Sequence, residues 1–143
     1  ALGCGVPVGA FVLGKKVADA SLAPGDHGTT YGGNPFVCAA VSKVFDLYEK
    51  EQIVDHVKKV GGYLEQKLNA LVEKYDFLKE RRGKGLIQGL EVEGRPIGEI
   101  VNRGLEEGLI IITAGSNVLR FVPPLVVTEA DVDEMITKLE KCF

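Results

Sequence analysis

Leu109-Ile110-Ile111-Ile112-Thr113-Ala114-Gly115-Ser116-Asn117-Val118-Leu119-Arg120-Phe121-Val122-Pro123-Pro124 sets two apolar runs on either side of a turn, and this arrangement decides the fold class. β-Branched and aromatic side chains suit a pleated surface, and Leu109 to Thr113 and Val118 to Val122 are each of strand length. Ala114 to Asn117 supplies turn chemistry between them, so the two runs are expected to pair as an antiparallel hairpin. Pro123-Pro124 ends the second run, because proline has no N–H to give to a ladder.

Working outward, Gly85 to Val92 reads as another strand, and Pro96 to Glu107 as a short amphipathic helix carrying Ile97, Ile100, Val101 and Leu105. Downstream, Thr128 with Asp131 forms a capping box for a last helix whose Val132, Met135, Ile136 and Leu139 face inward. From Pro35 onward, Phe36, Ala39, Ala40, Val44 and Leu47 recur at helical spacing, and Ile53, Val57, Val60, Leu64, Leu68 and Leu71 continue it. This predicts one long helix or two abutting ones, kinked at Gly61-Gly62, where each glycine costs about 1 kcal/mol relative to alanine. The order α, β, α, β, β, α predicts an α+β fold with a small antiparallel sheet covered by helices on one face.

The opening of the chain is different in kind. Eight glycines precede Asn34, and among them Val6 to Leu13 is a β-branched run of strand length, with Pro7 at its entry. No partner strand follows in the next seventy or so residues, and a lone strand is not stable. Residues 1–33 are therefore expected to be the last part of a larger domain, 34–75 a connecting helix or helices, and 76–143 a small C-terminal domain.

With 143 residues and 45% hydrophobic composition, the chain can build a core of its own. Its net charge of −3 argues against a nucleic-acid surface, and Lys58-Lys59 and Arg81-Arg82 read as isolated solvated pairs. Cys4, Cys38 and Cys142 form no C-x-x-C pair, which indicates neither a metal site nor a disulfide framework and fits a reduced, cytoplasmic setting. No apolar run is long enough to span a bilayer, so no membrane partner is expected.

Two features carry chemistry. Thr29-Thr30-Tyr31-Gly32-Gly33-Asn34-Pro35 combines two hydroxyls with glycines that let backbone approach a ligand. Asn34-Pro35 reads as a helix N-cap and first helical residue, so this turn suits a phosphate; the alternative is an ordinary Gly-rich turn capping a helix. Arg120 interrupts an apolar strand and is expected to have an anionic partner. That partner is either a substrate carboxylate, whose two oxygens match the guanidinium fork, or an internal carboxylate of a structural pair. His27 beside Asp26 reads as a local hydrogen-bond donor more readily than as a general base.

Taken together, Ala1-Leu2-Gly3-Cys4-Gly5-Val6-Pro7-Val8-Gly9-Ala10, Gly25 to Pro35 and Val118 to Leu125 resemble, in order and spacing, the class III, fold type I aminotransferases that use pyridoxal phosphate. The resemblance implies that Thr30, helped by Thr29 and Gly28, binds the cofactor phosphate across a homodimer interface, and that Arg120 holds the substrate α-carboxylate. It implies amino-acid and 2-oxo-acid substrates; no metal-ligand cluster is present in the sequence, so no metal is expected. Arg82-Gly83-Lys84-Gly85-Leu86-Ile87-Gln88-Gly89-Leu90-Glu91 is most similar to the branch of the family that uses N-acetylornithine in arginine synthesis, with ornithine, succinylornithine and 4-aminobutyrate as alternative donors. The family's Schiff-base lysine would immediately precede Ala1, so no catalytic residue is expected in this chain, which reads as the C-terminal part of the enzyme and inactive by itself. The remaining alternative is a non-catalytic module that binds a carboxylate or phosphate. Cys4 stands where relatives usually carry glycine.

Overall fold

The computed structural model describes residues 2–143, and Ala1, the first residue of the opening motif, lies outside the described residues. The chain divides into two compact units, residues 1–52 and 53–143. The second holds α3 (Ile53–Lys74), β1 (Leu78–Lys84), β2 (Ile87–Val92), α4 (Ile97–Glu106), β3 (Ile112–Ala114), β4 (Val118–Phe121) and α5 (Glu129–Lys141). The first holds α1 (Lys15–Ser21) and α2 (Pro35–Lys50).

In the second unit the expected hairpin forms, with Ala114 opposite Val118 and Ile112 opposite Arg120. Its first strand is shorter than the apolar run, since Leu109 to Ile111 lie outside the ladder. The four strands make one antiparallel sheet in the order β1-β2-β4-β3, which leaves β1 and β3 as its edges. Leu90 on β2 sits opposite Leu119 on β4 and Gln88 opposite Phe121, and all four are buried. Leu90, Leu119 and Phe121 pack with Leu64, Leu68 and Leu71 of α3, Ile100 of α4, and Val132 and Leu139 of α5 in one core. Each fully buried leucine contributes about 1.5–3 kcal/mol relative to an exposed one. The other face of the sheet carries Arg82, Glu91, Arg120 and Ile112, so the helices cover one face of an α+β fold, as the pattern predicts.

Strand β1 is not foreseen by the pattern. Five of its seven residues, Lys79, Glu80, Arg81, Arg82 and Lys84, are charged, and only Leu78 is buried. The strand is held by its partner: Lys84 pairs with Ile87 across the two-residue turn Gly85-Leu86. Gly85 takes φ 57 while Leu86 does not take positive φ, the type II′ pattern in which glycine leads the turn.

The helical run from Pro35 is two helices, and the break falls at Glu51-Gln52, where Gln52 adopts φ 49. At Gly61-Gly62, where a kink was expected, α3 continues unbroken. Gly61 answers a different need: a Cβ there would lie 2.9 Å from the Cα and carbonyl carbon of Gly85. Close approach of helix to hairpin turn, and not helix bending, is what requires glycine. The last helix begins as expected, with Thr128 and Asp131 completing a reciprocal capping box.

In the first unit, Val6 to Leu13 forms no strand. The physical reason is the one that made it suspect, because the unit contains no strand to pair with among the described residues. Phe11, Tyr31 and Phe36 are exposed by 65%, 82% and 73%, and of this unit's described residues only Gly3 and Val44 are buried.

Candidate functional site

The threonine turn belongs to the first unit. Gly32 N–H donates to the Thr29 carbonyl at 3.2 Å, closing a four-residue turn, and Gly33 takes φ 65. A Cβ on Gly32 would stand 2.4 Å from the Thr29 hydroxyl, so a side chain at position 32 would force that hydroxyl to turn away. Asn34 caps α2 as predicted: its Oδ1 accepts from Val37 N–H at 3.0 Å, its Nδ2 donates to the Tyr31 carbonyl at 2.8 Å, and Pro35 is the first helical residue. Asn34 thus fixes the turn against the helix start, where the macrodipole favours an anion. The turn residues Gly28, Thr29 and Thr30 are all exposed, and neither hydroxyl is engaged in a side-chain hydrogen bond among the described residues. The turn thus presents two exposed hydroxyls beside a helix start.

Arg120 belongs to the second unit, on the sheet face away from the core. Its register neighbours are Gly89 on β2 and Ile112 on β3. Gly89 brings no side chain, and a Cβ there would press within 3.0 Å of Val118. The guanidinium is exposed and joins none of the sheet's ion pairs, which link Lys79 to Glu93, Arg81 to Glu65, and Arg82 to Glu80 and Glu91. Among the described residues no carboxylate pairs with it, and β4 is a central strand. A planar cation left open beside a bare glycine can receive a carboxylate in bidentate geometry.

Beside Arg120 opens an apolar groove of about 320 Å³, walled by Ile110, Ile112, Val122, Pro123, Pro124 and Met135. Asp131 also borders it; its Oδ2 accepts from the hydroxyl and backbone N–H of Thr128, which holds its pKa below the usual aspartate range. Arg120 is the one cation among the groove's described lining residues. The loop after β4 is fastened to α3 by His56, whose Nε2 lies 2.9 Å from the Val127 carbonyl.

Other sequence candidates are not assembled into sites. His27 is exposed and meets only the edge of Phe11, while the neighbouring Asp26 carboxylate accepts from the Ala23 N–H at 2.8 Å and does not orient the imidazole. Cys4 takes φ 46 beside Gly5 at φ 102, a left-handed pair that explains why glycine suits position 4. Cys142 is buried, and desolvation pushes its thiol pKa up. No group of three or more potential metal ligands occurs among the described residues, and no helix among them is long and apolar enough to cross a membrane.

Arg81, expected to be solvated, is instead tied down. It donates to Glu65 at 2.6 Å, Asn69 at 3.0 Å and the Oε1 of Gln88 at 3.0 Å, while Gln88 Nε2 donates to the Gly85 carbonyl at 2.7 Å. The legible signal was Gln88 itself, a polar residue inside a strand whose burial demands partners.

The chain belongs to the class-III aminotransferases, whose family profile, "Aminotransferase class-III", matches residues 1–143. Over its whole length it is 45% identical to the acetylornithine aminotransferase of Gloeobacter violaceus, of which it spans 36%, and 45% identical to that of Methanocaldococcus jannaschii, of which it spans 35%. Among solved structures, it resembles acetylornithine aminotransferase from Elizabethkingia anophelis with a TM-score of 0.76 at 30% identity, over 85% of this chain and 31% of that one. The Toxoplasma gondii ornithine aminotransferase gives a TM-score of 0.76 at 31% identity, over 85% of this chain and 30% of that one.

Proposed function

We propose that this chain forms part of a pyridoxal-phosphate-dependent aminotransferase that exchanges an amino group between N-acetylornithine and 2-oxoglutarate, in arginine synthesis, as a cytoplasmic homodimer. The observation that carries the reading is the open Arg120 guanidinium, exposed on a central strand beside a glycine and free of any ion pair in the sheet. Acetylornithine aminotransferases recur among the relatives at 42–45% identity, which supports that donor over ornithine, succinylornithine or 4-aminobutyrate.

In this reading, Arg120 binds the α-carboxylate of the amino acid and then of the 2-oxo acid, using two parallel N–H···O bonds. The groove walls set apolar surface beside that contact. Thr30 and Thr29 donate hydroxyl hydrogen bonds to the cofactor phosphate, and Gly28 gives the backbone room. When bound, pyridoxal phosphate supplies the carbonyl group and the electron sink for the exchange. Residues 1–33 are assigned to the cofactor-binding domain, 34–75 to the connection and 76–143 to the small domain, with no catalytic lysine among them; alone, the chain would then be inactive.

The test is a steady-state assay of the whole enzyme with each donor and 2-oxoglutarate as acceptor. N-acetylornithine is expected to give the highest kcat/KM, and turnover of 4-aminobutyrate at equal efficiency would overturn the donor assignment. Absence of exchange with every donor would favour a binding module.

A further inference from the structure

On the open face of the sheet, Arg82, Gly89 and Arg120 stand in one register row across β1, β2 and β4. Glu91 lies two residues beyond Gly89 on the same face, opposite Glu80 on one side and Val118 on the other. It is thus the diagonal neighbour of two arginines at once. Diagonal partners in an antiparallel sheet are about 7–8 Å apart at Cα, within reach of long side chains. A carboxylate placed between two guanidinium groups can pair with either.

The structure shows which one it takes. Glu91 Oε2 pairs with Nη2 of Arg82, and its Oε1 accepts from Asn117 Nδ2 at 3.0 Å. Both carboxylate oxygens are engaged, and Asn117 is itself fixed, because its carbonyl accepts from Val92 N–H at 2.8 Å. Arg120 is left open. We infer that Arg82, with Asn117, is a positioning residue that holds Glu91 away from Arg120 and so keeps Arg120 available to a substrate carboxylate.

This rests on the assignment of Arg120 to the substrate carboxylate and adds a claim of its own. Releasing Glu91 creates an internal anion that competes for the same guanidinium. Apparent affinity for substrate then falls by the fraction of molecules in which Arg120 remains free. An exposed ion pair is worth at most about 1 kcal/mol, so that fraction drops to about one-sixth at the lower end.

The experiment measures KM and kcat for 2-oxoglutarate, and competitive inhibition by glutarate, in the whole enzyme. Arg82→Gln is expected to raise KM and the glutarate inhibition constant by about threefold to sixfold, with kcat within twofold of the parent. Arg82→Lys, which keeps a cation for Glu91, should stay near the parent. The double variant Arg82→Gln/Glu91→Gln should recover the loss, and Glu91→Gln alone should leave KM near the parental value. Asn117→Ala frees one oxygen only and should give a smaller rise, again reversed by Glu91→Gln; this pair decides the matter should Arg82→Gln fail to fold. A loss that Glu91→Gln does not reverse, or no loss at all, overturns the inference. Arg120→Gln separates it from the parent reading: if that variant binds glutarate normally, the clamp assignment itself is wrong, whereas a strong Arg120 effect with a silent Arg82 defeats only the positioning role.

Discussion

Replacing Gly61 by alanine places a methyl carbon 2.9 Å from the Cα and carbonyl carbon of Gly85 and 3.0 Å from its oxygen. Ordinary contact begins near 3.4 Å, so the helix or the turn must retreat by about 0.5 Å. Neither yields cheaply. Gly85 leads a two-residue turn whose ends are locked by the Lys84–Ile87 pairing, and its carbonyl accepts a hydrogen bond from the buried Gln88 Nε2 at 2.7 Å. Helix propensity returns about 1 kcal/mol on replacing a mid-helix glycine, overpacking against backbone costs about 1–3, and weakening the buried Gln88 bond adds about 1. The net expectation is a loss of about 1–3 kcal/mol. In a unit of this size that lowers Tm by roughly 5–15 °C. Gly62 is the internal control: a Cβ there meets nothing within 4 Å, so Gly62→Ala should gain about 0.5–1 kcal/mol and raise Tm by several degrees. Thermal melts followed by circular dichroism compare the two single variants with the parent. Stabilisation by both, or equal destabilisation by both, would refute the account of Gly61 as a close-approach glycine.

In the whole enzyme, Arg120→Lys keeps the charge and loses the fork; kcat/KM for both amino-acid and 2-oxo-acid substrates should fall by about 10- to 100-fold, with Tm changed by no more than a few degrees because no internal partner is orphaned. Thr30→Ala should weaken cofactor affinity by about tenfold or more, read by equilibrium titration of the apoenzyme, and Thr29→Ala should do less because its hydroxyl leans over Gly32. Hydrogen bonds from Thr128 lower the pKa of Asp131, those from Lys67 and Tyr63 lower that of Asp133, and one from Lys74 lowers that of Glu140. A depressed carboxylate pKa contributes stability that is complete above the unfolded-state value, about 4, and lost as pH falls through the folded-state value. The chain should therefore lose stability on acidification, and Asp131→Asn should lie below the parent near neutral pH with the gap closing in acid.

Local chemistry with short reach was legible. Asn34-Pro35 and Thr128 with Asp131 announce helix starts because capping is settled within four residues. Ala114 to Asn117 announces a hairpin because turn residues fix register. What long-range packing decides was not. β1 escapes because its inward position Arg81 is charged and satisfied by Glu65 and Asn69 on a helix that precedes it by a dozen or so residues. A register shift between Leu78 and Glu80 further blurs its alternation. Val6 to Leu13 misleads in the opposite sense, since strand propensity without a partner yields no strand. Thr30 and Arg120 could each be picked out by residue type, but that Arg120 joins no ion pair among the described residues became visible only through the register that gives Glu91 to Arg82.

The two edges of the sheet carry different aggregation liabilities. β1 presents a row of charges, and a foreign strand seeking its free N–H and C=O groups must bury or displace them. β3 has no such guard: it is three residues long, preceded by Ile110 at 82% exposure, with Ile112 on the ladder itself. Its brevity is its main protection against templating. When this chain is produced by itself, edge-to-edge association should grow from the β3 side, and a lysine at position 110 is the substitution that would blunt it.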